Sequence, residues 1–537
     1  MSLPAEQRWR GTIASRGLAL GAAVVGGIAV MRARAKGTPA EEWAALAAAV
    51  RRTTARLRTL AATADALTAE ILEIQTALLE DEALLEPARD AIAGGVAADR
   101  AWADALQALI ADYEAEDDEY FRARATDLKD LRDSVARALM GADDVPDATG
   151  SHDAAILVAQ DLTPTRFLET DWSRFGGAAL FGGSATSHVA MLARSRGIPM
   201  LVGVDGDLSG IAQGIQAVLD AESGWLVLMP AEETRAQFAA MAAAHAHIAQ
   251  EEARFLAPPA VTARGRRIQV QINADNPAIV AGVTPAHCDG IGLTRTEFLF
   301  HGPALPDEET QLRTYAGLVR WAAGRPVTIR TLDAGGDKPI AGLTPDDEAN
   351  PFLGVRGVRL SLARPEVFAV QIRALVRAAA LGPLKVMCPM VTVPAEMARV
   401  RTLFVQAVRR LQAAGVACAM PALGMMVEVP SAALRAQDFP VDFYSIGSND
   451  LVQYVTATAR DNPALASLHD PRDPAVLDLI GRVIAVGAAT GREVSLCGDM
   501  AADPDLLSLL LGLGLTTVSV APAALARVKA AIARYDG

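Results

Sequence analysis

The chain has 537 residues, a formal net charge of −13, and only 5% aromatic against 21% charged residues. At roughly 150 residues per domain that length implies three or four domains, one of which has room to be a (β/α)8 barrel of about 250 residues. The acidic balance excludes a general nucleic-acid binder, requires any phosphate ligand to be gathered by local arginine and lysine clusters, and suits a protein partner with a basic face.

In chain order, the first notable run is GLALGAAVVGGIAV, inside the uncharged stretch 17–31 with arginines on both sides. That stretch is too short to span a bilayer. The RARAK that follows is not a signal-peptide cleavage site. Strands and turns are therefore expected, with no membrane insertion. From 36 to 141, AEEWAALAAAV, ARLRTLAATADALTAEILEIQTALLEDEAL and ADALQALIADYEAEDDEYFRARATDLKDLRDSVARALMG carry apolar residues at three- and four-residue spacing, the mark of amphipathic helices. ADDVPDATGSHD is then turn-rich and AAILVAQDL reads as a buried strand. Residues 1–35 and 142–228 share an α/β texture, so the sequence predicts a discontinuous α/β domain interrupted by a helical subdomain at 36–141.

AEETRAQFAAMAAAHAHIAQEEARFL, ending at APPAV, predicts a connector helix within 229–258. Beyond it, RIQVQI, DGIGL, PVTIRTL, LKVMCPM, LGMMVEV, FYSIG, EVSLCG and TTVSVA alternate with helical patterns. Such alternation predicts a (β/α)8 TIM barrel over 259–537, with a doubly wound open sheet as the alternative. The fold class is thus multidomain α/β. The four cysteines, Cys288, Cys388, Cys418 and Cys497, show no CxxC pair or metal-finger spacing, as expected of free thiols in a cytoplasmic protein.

A barrel places its active residues at the C-terminal ends of its strands. The polar residues found there are Arg295 and Glu297 after GIGLT, Arg330, Asp333 and Lys338 at or after VTIR, Glu428 after GMMV, Asn449 and Asp450 after YSIGS, and Cys497 at the end of VSLC; Arg356 lies in NPFLGVRGVR and Arg460 ten residues after Asp450. Guanidinium forks at 295, 330, 356 and 460 suit a small phosphorylated anion. Glu428 and Asp450 supply the two carboxylates that Mg2+ commonly takes from a protein. Singly, each residue has a plainer reading: an arginine in a surface ion pair, Asp450 as a helix cap, Cys497 as a small buried hydrophobe. Their common placement on one rim favours a site.

The motif GGSATSHVAMLARSRGIP raises a second candidate. If Ser187 caps a helix through VAMLARSR, the His188 ring stands at the positive end of the helix dipole, which disfavours imidazolium and favours an attached phosphoryl group. A neutral imidazole can attack phosphorus, and a hydroxyl of Thr186, Ser184 or Thr163 would hold its second nitrogen. A histidine at a helix start is equally often structural.

GGSATSHVAMLAR, DGIGLTRTEFLF, VTIRTLDAGGDK, NPFLGVRGVR, GMMVEVP, SIGSNDLVQY and LCGDM together resemble the enzyme I family of the bacterial phosphotransferase system, from the opening GTIASRGLALG to the end of the chain. The resemblance implies a swivelling phosphohistidine domain, a helical subdomain that docks the phosphocarrier HPr, and a barrel that binds phosphoenolpyruvate and Mg2+ and forms a homodimer. It implies His188 as the phosphorylated nucleophile and Arg295, Arg330, Asn449, Asp450 and Arg460, with Arg356 and Lys338, around the substrate. Glu428 and Asp450 would hold Mg2+, and Cys497 would protonate the pyruvate enolate. Hinges near 228 and 257 would let the phosphohistidine domain swing between donor and acceptor.

Three departures stand out. Ser184 and Ala185 separate the glycine pair from Thr186 where the family has one residue, Asp499 replaces a glutamate, and the further C-terminal helical tail of familiar members is not expected after Gly537. Dikinases and phosphoenolpyruvate synthases share the histidine motif and barrel but need an ATP-binding domain, for which this chain shows no Gly-rich loop in its first 150 residues. A regulatory HPr-docking protein without turnover is the remaining alternative, disfavoured by the complete set of rim residues.

Overall fold

The computed structural model describes residues 6–26, 36–63, 72, 75–115, 119–140, 155–185, 187–280, 282–300, 305–336, 339–340, 342–345, 348–459, 465 and 467–537. The chain divides into two compact units, Met1–Ala246 and His247–Gly537, so the division falls inside the helix Glu232–Ala253.

The first unit is built on a mixed sheet of β1 (Gln7–Arg10), β2 (Thr12–Ser15), β3 (Leu18–Gly26), β4 (Ala155–Ala159), β5 (Phe175–Leu180), β6 (Met200–Val202), β7 (Gln216–Asp220) and β8 (Trp225–Leu228), in the spatial order β1-β8-β7-β3-β4-β5-β6-β2. Strands β3 to β6 are parallel, and antiparallel strands extend both edges. The central strand β4 is buried on both faces, which is why it reads as an unbroken apolar run. Ala155, Leu157 and Ala159 face one core with Phe167 and Val189, while Ile156 and Val158 face another with Leu201 and Leu219.

Between β3 and β4 lie the helices Pro39–Thr63, Glu82–Ala93, Ala98–Ala115 and Glu119–Met140. They pack about Leu46, Trp102, Leu106, Ile110 and Val135. The Asp130 carboxylate of this bundle accepts hydrogen bonds from Gln75 Nε2 and the Thr165 amide, each at 3.2 Å, and Arg56 pairs with Glu169.

The second unit is a closed parallel barrel: β9 (Gln269–Asn273), β10 (Ile291–Thr294), β11 (Val327–Arg330), β12 (Leu384–Cys388), β13 (Ala422–Val427), β14 (Phe443–Gly447), β15 (Glu493–Cys497) and β16 (Thr517–Val520), with β16 pairing β9. Each of the eight expected runs contributes one strand, and the open-sheet alternative is ruled out by closure. Side chains sort by strand alternation: Met425, Val427, Tyr444, Ile446, Val494 and Leu496 join the core under the surrounding helices, while Leu293, Met387, Met426, Phe443 and Cys497 cluster separately, in the barrel interior. No helix among the described residues is long and apolar enough to cross a membrane.

Candidate active site

At the C-terminal ends of the barrel strands, buried charges form a continuous chain of ion pairs. Arg330, the last residue of β11, shares the inward face with Thr328. Its Nη2 donates to Glu297 Oε1 at 3.0 Å and its Nη1 pairs with Asp333 Oδ2 at 3.1 Å. Glu297 Oε1 also accepts the Asp333 amide at 2.8 Å. Arg356 reaches Asp333 with Nε and Nη2, both at 3.0 Å, and Asp450 with Nη1 and Nη2 at 3.4 and 3.3 Å. Asp333 is 0%, Arg356 1% and Arg330 5% exposed. At that depth an unpaired charge is prohibitively costly, so the alternating signs are a condition of folding. Burial alone would push both guanidinium groups down, but Glu297 and Asp333 for Arg330, and Asp333 and Asp450 for Arg356, hold them above the ordinary arginine value.

Glu428 follows β13 on the inward parity of Gly424 and Met426 and is fully buried. Its Oε1 accepts the Met390 amide at 2.6 Å, whereas Oε2 has no hydrogen-bond partner. Burial, then repulsion from Asp450 and Asp333, pushes its carboxyl up to about 8 despite Arg330. A Cβ at Gly447 would stand 2.9 Å from Oε2, so only glycine leaves the approach to that oxygen clear. Among the described residues no group of three or more His, Cys, Asp or Glu is arranged to hold a metal ion. The donor set is therefore an orphaned Glu428 oxygen beside Asp450. That fits Mg2+, which takes one or two carboxylates and completes its octahedron with water and substrate oxygens.

Asn449 stands in the first turn of the helix Ser448–Thr456, directly after β14. Its Oδ1 accepts the Asp499 amide at 3.0 Å and its Nδ2 donates to Asp499 Oδ2 at 3.2 Å. This reciprocal pair fixes the carboxamide and leaves one Nδ2 hydrogen uncommitted to it. Gly498 between the partners has φ +105°, and a side chain there would collide with Ser448 and Asn449. Cys497 ends β15, 3% exposed, with Sγ 3.6 Å from the Ile446 carbonyl oxygen. Burial pushes its thiol up to about 11, so it is protonated at neutral pH. Arg295, after β10, pairs with Asp275 at 2.7 Å and keeps half of its side chain exposed. The Asp275 charge holds its guanidinium above the usual value.

The structure thus gathers Arg330, Arg356, Glu428 and Asp450 into one charged cluster and places Cys497, Asn449 and Arg295 at the ends of neighbouring strands. Lys338 and Arg460 lie outside the described residues. Arg356 differs in character from what the sequence suggests: it is enclosed by Asp333, Asp450 and the Tyr454 hydroxyl, 3.3 Å from Nη1. Asp450 is not the helix cap: it stands in the first turn of the helix Ser448–Thr456, whose N-cap is Gly447. Asp275, Met390 and Tyr454 escape the sequence reading. Asp275 alone carried a signal, being polar and just past an apolar run.

In the first unit, His188 is the first residue of the helix His188–Arg196. The Ser187 side chain caps that helix by accepting the Ala190 amide at 3.3 Å, and Gly197 closes it at φ +65°. Arg194 Nη1 ties the helix to the Ala14 and Ala185 carbonyls at 2.7 and 2.9 Å. Thr163 caps the helix Pro164–Glu169. Thr186 lies outside the described residues.

Comparisons with known proteins agree across both units. The family model for the PEP-binding domain of PEP-utilising enzymes matches residues 249–536, that for their N-terminal region residues 10–124, and that for their mobile domain residues 151–224. A phosphoenolpyruvate-protein phosphotransferase of Haloferax volcanii is 38% identical over 475 residues, 87% of this chain and 82% of that protein. One of Bacillus subtilis is 34% identical over 473 residues, 87% and 83% of the two chains. The solution structure of Enzyme I (nEIt) is 26% identical, covering 44% of this chain and 99% of that one at a TM-score of 0.36.

Proposed function

This chain belongs to the PEP-utilising enzymes, and from that premise we infer a phosphoenolpyruvate-protein phosphotransferase that carries the phosphoryl group on His188 and passes it to a histidine of an HPr-type carrier. The observation that carries the barrel half of this reading is Glu428 Oε2, a buried carboxylate oxygen without a partner beside a cluster of paired charges.

Arg295 and Arg330 bind the substrate phosphate, Arg330 held rigid by Glu297 and Asp333. Asn449, oriented by Asp499, and Arg460 complete the substrate site, with Lys338 on the same rim. Arg356 acts through Asp450, whose carboxylate it holds in place. Glu428 and Asp450 would hold Mg2+, which would supply positive charge against the phosphoryl oxygens. A neutral nitrogen of His188 attacks phosphorus in line with the bridging oxygen, the phosphorus–oxygen bond breaks, and the electron pair leaves on the pyruvate enolate. Cys497 Sγ gives its proton to the enolate carbon, which yields pyruvate, and recovers a proton from solvent. A thiol held protonated by burial is suited to that step. The helix start at His188 favours the phosphoryl group once attached.

The phosphohistidine domain, 1–35 with 142–228, serves the barrel, 259–537, and the carrier docked on the helical subdomain, 36–141, in turn. Hinges near 228 and 257 flank the connector at 229–258. Assembly as a homodimer through the barrel belongs to the same reading. The test incubates the purified protein with labelled phosphoenolpyruvate and Mg2+, with and without HPr-type carriers. Acid-labile, base-stable label that passes to the carrier and vanishes in His188→Ala is expected. Label from ATP but not phosphoenolpyruvate overturns the assignment.

A further inference from the structure

We propose that Gln371 is a positioning residue for the reaction of the barrel: one buried carboxamide that staples together the two loops carrying Arg295, Glu297, Arg330 and Asp333. The inference rests on the functional reading above. Gln371 lies on the helix Pro365–Ala378, whose other buried positions, Phe368, Ile372, Leu375 and Val376 among them, are apolar. Burying an amide on such a face is unfavourable unless it is bonded.

Two of its bonds lead to the rim. Oε1 accepts the Leu332 amide at 3.1 Å, in the middle of the segment between Arg330 and Asp333. Nε2 donates to Thr296 Oγ1 at 3.2 Å, the residue between Arg295 and Glu297, and lies 3.3 Å from the Tyr315 hydroxyl. Thr296 Oγ1 in turn donates to the Arg330 carbonyl at 3.1 Å, closing a ring across both loops. The amide orientation is determined, because a backbone N–H can only donate and must meet Oε1. Behind the ring, the Tyr315 hydroxyl donates to Gln311 Oε1 at 3.0 Å, and Gln311 Nε2 donates to the Pro306 carbonyl at 3.2 Å. Thr296, Tyr315 and Gln311 are all 0% exposed. Gln371 thus touches the centre of each loop without touching the charged side chains, and it sets the spacing between Arg295 and Arg330.

The test compares Gln371→Met, which keeps the volume and removes every bond, with Tyr315→Phe, which loosens the network but leaves both loop contacts. In Gln371→Met, kcat/KM for labelling by phosphoenolpyruvate falls tenfold or more, mainly through KM. Return of the phosphoryl group from a phosphorylated HPr-type carrier to His188 keeps its wild-type rate. Tyr315→Phe lowers Tm but keeps kcat/KM within twofold. Should Gln371→Met fail to fold, Gln371→Asn, which withdraws the carboxamide from both loops, replaces it with the same expected rise in KM. An unchanged KM, or an equal fall in Tyr315→Phe, overturns the inference while wild-type labelling stands. Wild-type protein that takes no label from phosphoenolpyruvate overturns the functional reading itself.

Discussion

Replacing Arg356 with methionine removes the cation that joins Asp333 to Asp450. Two carboxylates then remain in a region where Arg356 is 1% and Asp333 0% exposed. Asp333 keeps Arg330, while Asp450 loses the guanidinium that neutralises it. Breaking a buried ion pair from one side costs about 3–5 kcal/mol, most of it the stranded charge. For a domain of roughly this size each kcal/mol moves Tm by about 2–4 °C, so the barrel transition should fall by roughly 6–20 °C. Thermal and urea unfolding of the full chain, followed on the barrel transition, measures it.

A double-mutant cycle tests the charge balance more sharply. Asp450→Asn neutralises the stranded carboxylate, so Arg356→Met/Asp450→Asn should cost less than the sum of the single changes by about 1.5 kcal/mol or more. Labelling by phosphoenolpyruvate should fall with Arg356→Met because Asp450 is no longer held. Additive costs, or an Arg356→Met protein within about 0.5 kcal/mol of wild type, would refute the view that this arginine neutralises both acids.

Glu428, held up to about 8 against an ordinary 4.5, gives a pH prediction. Its protonated form favours the folded state, so that contribution is full below pH 4.5 and lost as pH rises through about 8. Metal-free wild type should therefore lose stability relative to Glu428→Gln across that range, and Mg2+ should raise Tm at about pH 8 only in wild type; parallel pH profiles would contradict both. Burial pushes the Cys388 and Cys497 thiols up to about 12 and 11, while Cys418 is partly exposed. Peptide mapping after brief iodoacetamide treatment should find Cys418 modified first, and prompt labelling of Cys497 would remove the case for a protonated thiol. Gly498→Ala, strained at φ +105° and crowding Asn449, should cost about 1–3 kcal/mol and raise KM for phosphoenolpyruvate; a normal KM would detach Asn449 from substrate binding.

The barrel was legible because parallel strands buried on both faces write unbroken apolar runs, and each expected run became a strand. The ends of those runs also marked where Arg330, Glu428 and Cys497 stand, at or just past the last residue of a strand. What local sequence cannot convey is which distant charge each group meets. Arg356 looks like an anion binder until Asp333 and Asp450, 23 and 94 residues away, enclose it. Arg295 meets the plainer reading, as a half-exposed ion-pair partner of Asp275. The Met390 amide on Glu428 left no trace in the sequence, since any residue supplies an N–H. The Ser187 cap was readable because a hydroxyl residue before an apolar run has few other uses.

The placement of the helical subdomain bears on how the chain folds. β3 pairs in parallel with β4, Ala23 beside Ile156 and Val25 beside Val158, although the helices lie between them in sequence. Closing so long a loop by diffusion costs entropy before any strand contact repays it. Local helical contacts form much faster than such pairings. During synthesis the bundle can therefore condense first and shorten the loop, while β1, β2 and β3 wait for partners. β1 waits longest, since its neighbour β8 ends at Leu228. A substitution in the bundle core, such as at Trp102, should then slow assembly of a sheet to which it contributes no strand.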